Sequence, residues 1–254
     1  MLEKLFKKNK TAVAPVGKRL YAIGDIHGCL EELGALLESI EKDIAGASNK
    51  DEKSQETPMP MLVFLGDYVD RGPDSKGVLD RLIALKNERP GTVFLKGNHE
   101  ALMLDFLSDP DAMPHWLEWG GEETLESYGI NKILGISSED LAAELSEKMP
   151  AEHLSFLQSL ALTHSEGDYF FVHAGVRPGV ELTDQKEEDL VWIRKKFHNT
   201  PASLRPDKVI VHGHQPMKKP LDAGWRIAID TGACWGGGLT AVVLENRLRR
   251  FIST

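Results

Sequence analysis

The chain has 254 residues, 41% of them hydrophobic and 27% charged, with 39 acidic against 30 basic side chains and a net charge of −9. That balance excludes a disordered, collagen-like or disulfide-scaffold chain and leaves room for one or two packed domains. The acidic excess disfavours broad binding to nucleic acid or anionic membranes, and taken alone it would disfavour any anionic substrate.

Two cysteines, Cys29 and Cys234, are too few for a disulfide framework, and no run reaches the roughly 18 apolar residues of a membrane span. The basic start MLEKLFKKNK lacks the apolar core of a secretory signal, so a flexible tail over 1–18 and a cytoplasmic location are expected. A single α/β domain is expected over 19–254. Strand-like apolar runs lie at 19–23, 61–65 and 92–95, separated by helical patterns carrying Leu33, Leu36, Leu37 and Ile40, then Val78, Leu79 and Leu82. Alternation of strand and helix predicts a parallel sheet. Residues 45–60 hold no Leu, Ile, Val or aromatic residue and read as a mobile surface loop. From 101 to about 165 helical patterns are broken by glycine and proline, as in a helical insertion. Further strands are expected at 169–173, 208–212, 226–229, 239–244 and 247–252, the last two as an antiparallel pair.

Three polar motifs follow directly on the first three strands: GDIHG at 24–28, GDYVDRG at 66–72 and GNHE at 97–100. Residues just beyond the carboxyl ends of neighbouring parallel strands converge on one crevice. Asp25, His27, Asp67, Asn98 and His99 are therefore expected to meet, joined by His173 and by His212 or His214 from later strand ends. Carboxylates, imidazoles and an amide without thiol suit two borderline-hard divalent ions, and two such ions suit hydrolysis of a phosphate ester.

In this order, these motifs and the two downstream histidines resemble the calcineurin-like metallophosphoesterases, within them the serine/threonine phosphoprotein phosphatases. Bacterial and phage phosphatases and the symmetrical diadenosine tetraphosphatases are similar in size, and the resemblance spans roughly 20–244. It implies a two-sheet β sandwich flanked by helices, with a helical insertion. It also implies two divalent ions, Mn²⁺ first, with iron or zinc as alternatives. Asp25 and His27 would hold one ion, Asp67 would bridge, and Asn98, His173 and His214 would hold the other. His99 would be the general acid oriented by Asp70, while Arg71, Arg194 and Asn98 would bind the phosphate; Arg177 competes with Arg194 for the second arginine.

The activity implied is phosphoprotein phosphatase, with a metal-bridging hydroxide attacking phosphorus directly. The alternative is symmetrical hydrolysis of diadenosine tetraphosphate; a catalytically silent scaffold is the third reading. Expected partners are thus a phosphorylated protein or peptide, or a dinucleoside polyphosphate. The run IDTGACWGGGLTAVVLE resembles the bacterial and diadenosine tetraphosphatase branch. Outside the motifs, Trp116 and Trp119 either shape a cleft or pack a helix, the glycines at 236–238 read as a tight turn, and Cys29 reads as a buried thiol. His115, His153, His164 and His198 read as surface or packing residues.

Overall fold

A strand covered on both faces can be apolar at every position, and KRLYAI nearly is beyond its first two residues. Leu20 and Ala22 face one side, Tyr21 and Ile23 the other, and all four are buried. The computed structural model describes residues 12–48, 58–112 and 115–254. Among the described residues, ten strands form two mixed sheets of five. The first contains β1 (Lys18–Ile23), β2 (Met59–Phe64), β3 (Val93–Phe94), β9 (Thr240–Glu245) and β10 (Leu248–Ser253), in the order β10-β9-β1-β2-β3. The second contains β4 (Thr163–Glu166), β5 (Tyr169–Val172), β6 (Val209–His212), β7 (Leu221–Asp222) and β8 (Arg226–Ala228), in the order β4-β5-β6-β8-β7.

Each sheet thus has three neighbouring parallel strands, β1-β2-β3 and β5-β6-β8. The expected pair β9 and β10 is antiparallel, and β9 also runs antiparallel to β1. Leu20, Ala22, Val63, Leu65, Val242 and Leu244 meet Tyr169, Phe171, Val211 and Ile227 in a core between the sheets. The outer face of the first sheet packs on α1 (Leu30–Ser48), α2 (Ser75–Glu88) and the helices α3 (Asn98–Ser108), α4 (Glu122–Ser127), α5 (Ser138–Lys148) and α6 (Ala151–Gln158). The second sheet's outer face holds Phe170, Val172 and Ile210 against α7 (Glu187–Trp192) and α8 (Lys195–His198).

Some boundaries move. The expected loop over 45–60 is shorter, because α1 continues to Ser48 and β2 starts at Met59; residues 49–57 lie outside those described. The expected tail splits likewise. Residues 1–11 lie outside those described, whereas Ala12 and Ala14 are buried in the core between the sheets, and Ala14 N–H donates to Asn246 O. The helical stretch runs from Asn98 to Gln158, and β4 occupies the end of the range expected to be helical. No helix of the described residues is long and apolar enough to cross a membrane.

Candidate metal centre

Each of the six parallel strands delivers a polar side chain just past its carboxyl end. Asp25 and His27 follow β1, Asp67 follows β2, Asn98 and His99 open α3 after β3, and His173, His214 and Asp230 follow β5, β6 and β8. The turns that carry them are unusual. Among the described residues, six non-glycine residues have left-handed φ, and five of these are His27, Asp67, Asp70, Arg71 and His214. Such conformations persist where surrounding contacts over-determine them, which is common at functional sites. Here Ile26 and His27 both donate backbone N–H groups to Asp67 O, and Arg71 N–H donates to Gly120 O at 3.0 Å. Gly120, itself at φ 108, is required there because a Cβ would overlap the Arg71 backbone.

Among the described residues, two groups each have ligand atoms that all lie within 4.8 Å of one another: His27, Asp67 and His99, and Asp67, His173 and His214. Asp67 belongs to both, which is the geometry of a bridging carboxylate. Its Oδ2 lies 3.4 Å from His27 Nε2 and 3.3 Å from His173 Nε2. His27 Nδ1 donates to Val69 O at 2.9 Å and His173 Nδ1 to Leu65 O at 3.0 Å, so both rings turn Nε2 toward Asp67. Asn98 Oδ1 and His214 Nδ1 sit 3.0 and 3.2 Å from His173 Nε2. Asp25 lies outside both groups. Its Oδ2 accepts from His214 N–H at 2.9 Å, and its Oδ1 is buried with no hydrogen-bond partner.

The electrostatics ask for positive charge. Burial, then the neighbouring Asp230 carboxylate, pushes Asp25 well above the usual carboxylate range. Burial also lifts Asp230, to about 6, and drives His27 and His214 down to about 3 and about 2. His173 goes the other way: burial opposes its charge, yet the Asp67 carboxylate outweighs it and raises the ring to about 9. Asp67 stays well below its ordinary value, because His173 and His99 overcome its own burial. A proton on His173 thus supplies positive charge to the acids. The orphaned Asp25 oxygen and this crowd of nitrogen and oxygen acceptors fit divalent cations.

Beside the cage, His99 Nδ1 pairs with Asp70 Oδ2 at 2.7 Å, leaving Nε2 free to face a ligand. Asp70 is fully buried and also accepts from Trp116 Nε1 at 2.9 Å and Thr124 Oγ1 at 2.7 Å. Arg71 Nη1 lies 2.6 Å from His27 Nε2. Arg194 Nε donates to His214 Nε2 at 2.9 Å, whereas Arg177 is held away in a two-bonded pair with Asp189 at 2.6 and 2.8 Å. His214, not His212, enters the cage; the His212 ring packs on Phe197 and His198.

Trp116 and Trp119 divide between their two readings, the first buried on Asp70 and the second 46% exposed. Cys29 is buried, its thiol pushed up to about 12 by that burial. Sequence reasoning passed over Asp230, Thr124 and the Trp116 contact; applying the strand-end rule to β8 would have found Asp230.

The calcineurin-like phosphoesterase profile matches residues 18–247. The chain belongs to that family. Among curated relatives, the asymmetrical bis(5'-nucleosyl)-tetraphosphatase PrpE of Oceanobacillus iheyensis is 30% identical over 232 residues, covering 86% of each chain. Among solved structures, a candidate diadenosine tetraphosphatase aligns over 95% of this calcineurin-like phosphoesterase and 98% of its own chain, with TM-score 0.61 and 21% identity. A protein serine/threonine phosphatase from Saccharomyces cerevisiae aligns over 93% and 79%, with TM-score 0.53 and 17% identity. Both structural likenesses are of fold.

Proposed function

We propose that this phosphoesterase hydrolyses the phosphoanhydride of a dinucleoside polyphosphate, with two divalent cations, Mn²⁺ first, as cofactors. The observation that carries the reading is a pair of exposed indoles beside the cage, one next to His27 and the other reached from His214 through Trp192. Trp235, 60% exposed, lies with its ring 6.4 Å from that of His27. Trp119, 46% exposed, stacks edge-on against Trp192 at 5.7 Å, and Trp192 in turn packs on His214 at 6.2 Å. Exposed aromatic faces flanking a phosphate site suit a substrate with a base at each end, since every nucleobase has a face to stack. The named activity of the PrpE relative supports the same substrate class.

Asp25, His27, Asp67, Asn98, His173 and His214 would hold the cations. When bound, these would neutralise phosphate oxygens and lower the pKa of water. Arg71 and Arg194 close on the phosphoryl oxygens from opposite ends of the cage, and Arg71's planar fork suits two of them. His99, fixed through Nδ1 by Asp70, offers a proton at Nε2 to the departing oxygen. The phosphoprotein expectation has only fold-level likeness behind it, and the same experiment tests it. Metal-free enzyme supplied with Mn²⁺ is assayed on diadenosine tetraphosphate, a phosphoserine peptide and a phosphotyrosine peptide. We expect kcat/KM for the dinucleotide to exceed both peptides by tenfold or more; a peptide preference overturns the reading.

A further inference from the structure

The arginines of this chain sort by what they meet. Arg19, Arg81, Arg89, Arg177, Arg249 and Arg250 each pair with a carboxylate. Arg71 and Arg194 pair with none among the described residues and face the cage instead. Arg247 stands in the exposed turn between β9 and β10. Arg205 and Arg226 also lack a carboxylate partner among the described residues, although they lie outside the cage. Arg205 Nε donates to Thr200 O at 3.4 Å, and Arg226 Nη1 donates to His212 Nε2 at 3.2 Å. Both guanidiniums sit against one indole, that of Trp225, at 4.8 and 5.7 Å from its centroid.

The fold fixes this pair from several sides. β8 sets Arg226 level with Ile210 of β6, yet its guanidinium reaches His212, two residues further on. The side chain therefore leans toward the carboxyl ends of the strands, where the cage lies. His212 Nδ1 donates to Gly213 O at 3.1 Å, which leaves Nε2 as the acceptor for Arg226. Phe197 packs edge-on against His212 at 5.1 Å and Trp225 at 5.3 Å, and the His198 ring lies 5.6 Å from that of His212. His198 is one helical turn from Arg194, to whose carbonyl its N–H donates at 3.1 Å. Two cations crowded on one ring repel each other. Burial, then the Arg205 charge, holds Arg226 below its ordinary value, and burial followed by the Arg226 charge lowers His198.

We propose that Arg205 and Arg226, with His198 beside them, form a second anion site, for a phosphate group, next to the cage and distinct from it. An anion bound there would relieve the repulsion between the two guanidiniums. Their contacts with protein use one N–H of each, so the others remain for phosphate oxygens, which the planar forks match in pairs. Side chains already held by an indole and an imidazole also lose little freedom on binding. The site stands whatever ester or anhydride the cage hydrolyses. Its phosphate is either inorganic and free or part of a molecule already held in the cage; the oxygens presented are the same.

The test titrates orthophosphate by calorimetry into enzyme loaded with Mn²⁺ and cleared of unbound metal, as wild type and as Arg205→Gln/Arg226→Gln. Wild type should bind two phosphates per chain, one at the cage and one here. The double variant should bind one, and phosphate should still inhibit its hydrolysis of p-nitrophenyl phosphate with the wild-type inhibition constant. Arg205 is exposed, so Arg205→Gln alone keeps the fold and should weaken the second phosphate about tenfold or more. One phosphate per chain in wild type, or two of unchanged affinity in the variants, would overturn the site. Kinetics separate the two sources. If the phosphate belongs to a molecule in the cage, the double variant loses about tenfold or more in kcat/KM on diadenosine tetraphosphate and none on p-nitrophenyl phosphate; if it is free, both values hold.

Discussion

Asp70 carries a carboxylate into full burial, so its stability there depends on every donor it can find. Oδ2 accepts from both His99 Nδ1 and Trp116 Nε1, and Oδ1 from Thr124. The indole N–H thus fixes the oxygen that in turn fixes the His99 ring. Trp116→Phe keeps most of the apolar volume, including the tilted ring contact with Phe106 at 4.6 Å, and removes only that donor. A hydrogen bond to a charged group contributes about 1.5–3 kcal/mol, so kcat should fall about tenfold or more. KM and Mn²⁺ affinity should hardly move. Because the effect would run through His99 as the proposed proton donor, an alkyl phosphate should lose more than p-nitrophenyl phosphate, whose leaving group needs little protonation; equal losses would remove Trp116 from this role. Asp70 and His99 are legible in the sequence because each sits in a motif beside a strand end. Trp116 is not, since it reaches Asp70 from 46 residues away across a wide turn, Leu117–Gly121, whose geometry no periodicity announces.

The turns after β2 and β3 act as one unit, and Glu100 is what joins them. One carboxylate at the third position of α3 accepts from Gly97 N–H at 2.8 Å, Asp67 N–H at 2.9 Å and Tyr68 N–H at 2.6 Å. Burial, followed by repulsion from Asp67, raises Glu100 to about 7, while the backbone N–H groups of Gly97 and Tyr68 favour its anion. Glu100→Gln replaces one acceptor oxygen by an NH₂ group that faces backbone N–H donors. The variant should lose about 2–3 kcal/mol of stability by urea titration and bind Mn²⁺ more weakly by calorimetry; wild-type values for both would show that the two turns are organised without it. At this scale the sequence reads well wherever a strand is apolar and long. It reads poorly for β4, whose Thr163–Glu166 run is polar and partly exposed, and for β7, whose two residues give no period at all. The short helices α7 and α8 escape for the same reason, having six and four residues.

Across the whole molecule, the cage draws from both sheets: Asp25, His27, Asp67 and Asn98 stand on the first, and His173, His214 and Asp230 on the second. Net charge of −9 describes the surface poorly as a guide to this interior, where buried acids sit beside imidazoles and two arginines. Without cations, Asp230 raises the cost of ionising Asp25, and Asp67 that of ionising Asp230, across the line where the sheets meet. Cations bound there would relieve that repulsion and tie the sheets together, binding the folded chain and not the unfolded one. Mn²⁺ at about a hundred times its Kd contributes about 2.7 kcal/mol for one ion. For a chain of this size each kcal/mol raises Tm by about 2–4 °C, so loading the metal-free protein should raise Tm by at least about 5 °C. Asp67→Asn removes the carboxylate common to both groups of ligands and should reduce that rise to less than half. If the variant kept the full rise, the stabilising ions would be bound elsewhere, and the junction between the sheets would owe them nothing.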